Sequence, residues 1–121
     1  VMQPHLVSKI ENYEGITVDT TKTDEYASIM DSDEAKILKK FMRYTVKSGT
    51  ASKLDSNSYK AYGKTGTAEF NSNKDSHAWF IGFASKSGYD DLAVAIIVED
   101  SGAGSQYAVP VADAVFDAYF N

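Results

Sequence analysis

No cysteine occurs among the 121 residues, which excludes disulfides, cysteine-ligated zinc and thiol nucleophiles. This absence does not fix a compartment, because an exported chain can simply do without the residue. Positive charge is also in short supply: 12 Lys and Arg stand against 17 Asp and Glu, a formal net charge of −5. Nucleic-acid binders need a basic face to neutralise phosphates, and peripheral binders of anionic lipid need the same, so both classes are disfavoured. No stretch approaches the ~18 apolar residues that span a bilayer. No secretory leader is visible either, but the chain starts at Val1, and residues 1–7 read as mid-domain sequence. A fragment or processed form of a longer protein is therefore expected.

Apolar and aromatic residues are plentiful: 43% hydrophobic, with 8 Tyr and 6 Phe, enough for a packed core in one domain or part of one. Leu6–Ile10 and Ile16–Val18 read as a hairpin around a turn at residues 11–15. Residues 19–29 are polar and threonine-rich, as in a loop. Asp31 with Glu34 three residues on forms a capping box, and Ile37, Leu38, Phe41, Met42 and Val46 recur at helical spacing. Gly49 stands where a glycine would terminate that helix.

Residues 52–58 read as polar linker and 59–70 as a strand, with 71–76 as a turn by composition. A heavily buried strand follows over His77–Ala84. Leu92–Val98 is a continuous apolar run, expected to be the central strand with Ala95 inside it. After a glycine-rich connection at 101–106, a closing helix runs to Tyr119 with Val111, Val115, Ala118 and Tyr119 along its apolar stripe. Strands joined by short polar turns pair antiparallel, so the fold class is α+β.

The chemistry-bearing segment is Lys64-Thr65-Gly66-Thr67-Ala68-Glu69. In an extended strand, Thr65 and Thr67 share one face while Lys64 and Ala68 share the other. Gly66 lets a ligand or another backbone approach closely. A cation and two hydroxyls on such an edge suit the carboxylate of a peptide-like ligand.

This segment, followed by His77-Ala78-Trp79-Phe80-Ile81-Gly82-Phe83-Ala84 and Ala93-Val94-Ala95-Ile96-Ile97-Val98, resembles the C-terminal part of a penicillin-binding protein transpeptidase domain. Met2-Gln3-Pro4-His5-Leu6-Val7 adds to the likeness, which extends over nearly the whole chain. The resemblance implies a β-lactamase/transpeptidase-like fold, of which residues 1–121 are a C-terminal piece. It implies a serine acyl-enzyme formed on a peptidoglycan stem peptide or a β-lactam, and no cofactor or metal. Carried over, Lys64 supplies positive potential near the nucleophile, and the Thr65 and Thr67 hydroxyls bind the carboxylate. Gly66 lets the ligand lie close, and the Thr67 N–H is an oxyanion-hole donor. An extracytoplasmic location with an N-terminal membrane anchor outside this chain is the family expectation.

Two family elements are missing. The nucleophile's Ser-x-x-Lys is not present: Lys36, Lys40, Lys47 and Lys86 lack a serine three positions earlier. No catalytic Ser-x-Asn is present either, since Ser56-Asn57-Ser58 has another order and Asn71-Ser72-Asn73 lies past the strand. The serine is then expected from a remainder that was cut away or that belongs to another chain. A serine β-lactamase, a β-lactam sensor domain and a non-catalytic ligand-binding module are the alternatives.

Elsewhere plainer readings prevail. Trp79 is expected as a buried core aromatic between helix and sheet, His77 as a structural residue at a strand start, and His5 as surface. The Gly102–Ser105 loop lacks phosphate-cradle spacing and reads as a flexible connection. Glu69, Glu99 and Asp100 read as solvated strand ends, and Gly49-Thr50-Ala51 as an accidental echo of Gly66-Thr67-Ala68.

Overall fold

The computed structural model describes residues 1–56, 58–70 and 72–121. Asn57 and Asn71, which belong to the Ser-Asn-Ser and Asn-Ser-Asn triplets above, lie outside the described residues. The chain forms two compact units, 1–35 and 36–121.

In the first unit β1 (Lys9–Glu11) pairs antiparallel with β2 (Thr17–Thr20). The turn between them is built on Asn12, whose Oδ1 accepts the N–H groups of Glu14 and Ile16 at 2.9 and 3.0 Å. Gly15 takes φ 79°, which a residue without Cβ adopts freely. The first strand begins later than expected, leaving Leu6 fully exposed, and the second continues into the presumed loop.

Helix α1 (Ser32–Ser48) opens on the expected capping box. Asp31 Oδ1 accepts the N–H groups of Asp33 and Glu34 at 2.8 and 2.9 Å, and Asp31 N–H donates to Glu34 Oε2 at 2.9 Å. The helix does not end on a left-handed glycine. Among the described residues positive φ glycines are Gly15, Gly88 and Gly102, whereas a Cβ on Gly49 would lie 2.9 Å from Thr45 Cα and O. Close backbone contact, not turn conformation, explains that glycine.

In the second unit the presumed linker carries a 3-10 turn, Ser52–Leu54, with Ala51 and Leu54 fully buried. Arg43 fastens this segment, donating from Nη2 to Asp55 Oδ1 at 2.7 Å and from Nη1 to Ala61 O at 3.0 Å. Then β3 (Lys60–Ala68), β4 (His77–Ser85) and β5 (Leu92–Val98) form an antiparallel meander in the order β3-β4-β5. The middle strand is therefore β4, not the apolar run at β5. A meander places its last strand at an edge whatever its hydrophobicity. Within that strand Ala95 pairs with Ile81 and points to an exposed face.

Helix α2 (Ala108–Phe120) closes the core with Ala108, Val109, Ala112, Phe116 and Phe120, all fully buried. The expected stripe is the opposite one: Val111, Val115 and Tyr119 are exposed. This helix is apolar almost all round, so periodicity alone offered two faces. Ala61, Ala78, Phe80 and Ala84 share one buried cluster with these α2 residues, and the half-buried Leu92, Val94, Ile96 and Val98 pack against it. Phe80 lies across Gly63 and Gly82, where a Cβ would come within 2.3 and 2.7 Å of its ring. Tyr59 packs on Phe116 and Phe120, ring centroids 5.6 Å apart in each case, and donates its hydroxyl to Asp113 Oδ1 at 2.7 Å. Trp79 and Ile81 alternate with these residues onto the other face, where they are 37% and 52% exposed. Trp79 is thus no core residue of the described chain, and β4 is buried on one face rather than both.

Candidate functional site

Residues 64–67 lie on β3, an edge strand of the sheet. Their cross-strand partners are Ile81, Phe80, Trp79 and Ala78, in that order. Lys64 is exposed, and its Nζ donates to the carbonyl of Thr65 at 2.6 Å. Thr65 is only 9% exposed, with its Oγ1 2.6 Å from Thr50 Oγ1. Thr67 is exposed, and the N–H of Gly104 reaches its Oγ1 at 3.5 Å, a long contact. The expected common face of Thr65 and Thr67 is present, but the two hydroxyls differ: one is braced from behind, the other open.

Two contacts establish which backbone groups face outward. A Cβ placed on Gly104 would lie 2.5 Å from both Gly66 O and Trp79 O and 3.2 Å from Gly66 N. The polar groups of the Gly66–Trp79 pair therefore converge between the two strands. In an antiparallel ladder the flanking residues turn their N–H and C=O the other way, so Thr65 and Thr67 present theirs at the free edge. The Lys64 ammonium on the Thr65 carbonyl agrees with that parity. The free edge thus offers a cation and the N–H of Thr67, with the exposed Thr67 hydroxyl on the adjoining face, a set able to bind an anion without a metal.

The loop behind this strand is not a loose connection. Ser101 and Gly102 donate their N–H groups to Ser76 O at 3.1 and 2.8 Å, and Gly104 is buried against the motif strand. His77, at the start of β4, accepts the N–H of Asp100 on Nδ1 at 3.0 Å and stacks on Phe70 with centroids 4.0 Å apart. Its role is to hold the loop, as expected for a structural histidine. Sequence reasoning missed two neighbours of the motif. Thr50 sits in the segment read as an accidental echo, and Gly104 in the loop read as flexible. The echo itself was the available signal.

Two cavities lie towards the two ends of β3. One of about 570 Å³ is lined by Glu69, Phe70, Ser72, Lys74, Asp75 and Ser76, just beyond the motif. Another of about 670 Å³ runs beside α1 and includes Lys39, Arg43 and Tyr62. Neither is lined by Lys64–Thr67.

The family model described as penicillin binding protein transpeptidase domain matches residues 1–119, and the chain belongs to that family. The fold agrees. The D,D-transpeptidase domain of a peptidoglycan glycosyltransferase from Eggerthella lenta superposes with a TM-score of 0.81 at 26% identity, covering 96% of this chain and 27% of that one. PBP2 of Pseudomonas aeruginosa, solved in complex with WCK 5153, gives 0.69 at 30% identity over 88% of this chain and 23% of its own. The peptidoglycan D,D-transpeptidase MrdA of Haemophilus influenzae is 37% identical over 79 aligned residues, 52% of this chain and 12% of MrdA. The chain therefore spans a minor part of each protein it matches. Among the described residues, no helix is long and apolar enough to cross a membrane.

Proposed function

We propose that this chain is the acyl-donor-binding part of a D,D-transpeptidase that cross-links peptidoglycan through a serine acyl-enzyme and is acylated by penicillin. The observation that carries this reading is the edge strand itself, with the Lys64 ammonium and the Thr67 N–H at its free edge and the exposed Thr67 hydroxyl on the adjoining face. In this reading Lys64 attracts and orients the carboxylate of a peptide terminus or β-lactam. Thr67 donates its hydroxyl to that carboxylate, with Thr65 behind it, while Gly66 leaves room for the ligand to lie against the strand. The Thr67 N–H stabilises the oxyanion that forms when the serine attacks the carbonyl. One such donor is worth about 10²–10³ in rate, because it is already aimed when charge develops. The serine, with its Ser-x-x-Lys, comes from sequence outside residues 1–121, and an extracytoplasmic, membrane-anchored whole protein fits the substrate.

Labelling with a fluorescent penicillin tests the assignment. In the full-length protein, Lys64→Ala should slow acylation by roughly two orders of magnitude or more with an unchanged melting temperature. A rate near wild type would remove Lys64 from the site. The isolated chain should take no covalent label, and labelling would show that it carries its own nucleophile.

A further inference from the structure

We infer that Thr50 is a positioning residue for ligand binding, acting through Thr65. This rests on the reading of residues 64–67 as a carboxylate-binding edge. The two hydroxyl oxygens lie 2.6 Å apart although 15 positions separate them in sequence. Each hydroxyl has one proton and two lone pairs, so this contact uses one proton and leaves the other to be given elsewhere. With an anion at the free edge, the stabilising arrangement runs from Thr50 O–H to Thr65 Oγ1, and from Thr65 O–H to the carboxylate. Accepting the first bond makes Thr65 a stronger donor in the second. The same contact selects one of the few χ1 wells open to a β-branched side chain.

Thr50 is itself held in place on both sides. Gly49 N–H and Ala51 N–H both donate to Thr45 O, at 3.1 and 3.2 Å, and Ala51 is fully buried. Gly49 has no room for a side chain against Thr45. The backbone that carries the Thr50 hydroxyl is thus fixed by the end of α1 before any ligand arrives.

The test uses the full-length protein and two probes, benzylpenicillin and its methyl ester, which lacks the free carboxylate. Thr50→Val keeps the shape of the side chain and removes the hydroxyl. It should lower the second-order acylation rate with the free acid about five- to tenfold and leave the ester rate unchanged to within about twofold. Thr50→Ser should restore the acid rate to within about twofold of wild type. Thr50→Ala removes the same hydroxyl from an exposed position and should repeat the acid-selective loss, so a folding defect peculiar to valine does not decide the outcome. An equal loss with both probes, or none with either, overturns the inference. A wild-type protein with no preference for acid over ester would overturn the carboxylate reading, and this inference with it.

Discussion

The two faces of the three-stranded sheet differ in cover more than in chemistry. One carries Ala61, Thr65, Ala78, Phe80 and Ala84, buried beneath α2 and the segments around it. The other carries Trp79, Ile81 and Ile97, at least a third exposed although just as apolar, with Tyr62 buried against Phe83 at one end. Trp79-Phe80-Ile81 shows the contrast in three consecutive residues. The covered face is also the one that backs the motif. Thr50 meets Thr65 there, and Gly104 sits there against the Gly66–Trp79 pair. The hydroxyl side of the motif is therefore set by close packing, while the Lys64 side is open. A site that must hold an oxyanion donor within tenths of an ångström benefits from that rigid backing.

The largest effect that would break this comparison lies in the core. Phe80→Ala should cost about 3–5 kcal/mol, because it removes a fully buried ring and leaves a cavity between α2 and two glycines. Its neighbour Ile81 is half exposed, and Ile81→Ala should cost about 1 kcal/mol. Urea unfolding of this chain measures both, and equal costs would mean that the faces are not distinct. Next comes Gly104→Ala. Its methyl would strike two carbonyl oxygens at 2.5 Å, and backbone cannot swing aside as a side-chain tip can. A cost of about 1–3 kcal/mol is expected. Gly66→Ala, facing Trp79 Cβ at 3.2 Å on the open side, should stay under about 1 kcal/mol.

This asymmetry also explains how far the sequence could be read. Local signals were legible because their causes are local. The capping box at Asp31 and Glu34 needs only three residues of spacing, and the Asn12–Gly15 turn and the β3–β4–β5 meander follow from turn chemistry and alternation. Which apolar stripe is covered is decided by what packs on it, and α2 was misread for that reason; β5 was misread because its apolar run was weighed above its place at the end of the meander. The site divides in the same way. Residues 64–67 stand out by composition, and strand periodicity puts Thr65 and Thr67 on one face. Thr50 and Gly104 reach the motif through tertiary contact; the Gly49-Thr50-Ala51 echo was the one local hint of Thr50, and nothing around Gly104 announced its contact.

A smaller effect sharpens the comparison through pH. Tyr59 packs against α2 on the covered side, where burial, the hydrogen bond to Asp113 and the Asp113 and Asp117 charges raise its phenol well above the ordinary value. A group with a raised folded-state pKa keeps its proton longer when folded. Its contribution is complete below the unfolded value of about 10 and is lost as pH climbs towards the folded one. Tyr59→Phe removes a hydrogen bond to a charged acceptor and should cost about 1.5 kcal/mol at neutral pH. The gap between wild type and Tyr59→Phe should narrow at pH 11, read from urea midpoints. A gap that widens would show that the phenol is not held in its protonated form.

The smallest expected effect is the most direct check on the strand order. Were Leu92–Val98 the middle of the sheet with both faces covered, a carboxylate at Ala95 would be buried without a partner and would unfold the chain. In the observed order Ala95 pairs with Ile81 on the exposed face, where a carboxylate keeps its water. Ala95→Asp should then cost no more than about 1 kcal/mol, mostly from the poor fit of Asp to a pleated strand. Ala84→Asp supplies the control, since Ala84 is fully buried beneath α2 and its carboxylate would have no such escape. The two substitutions introduce the same side chain on adjacent strands of one sheet, so their difference reports mainly cover, with a smaller part from the edge position of β5. If Ala95→Asp proves as damaging as Ala84→Asp, some other part of the chain covers that face in solution and the contrast between the faces is lost.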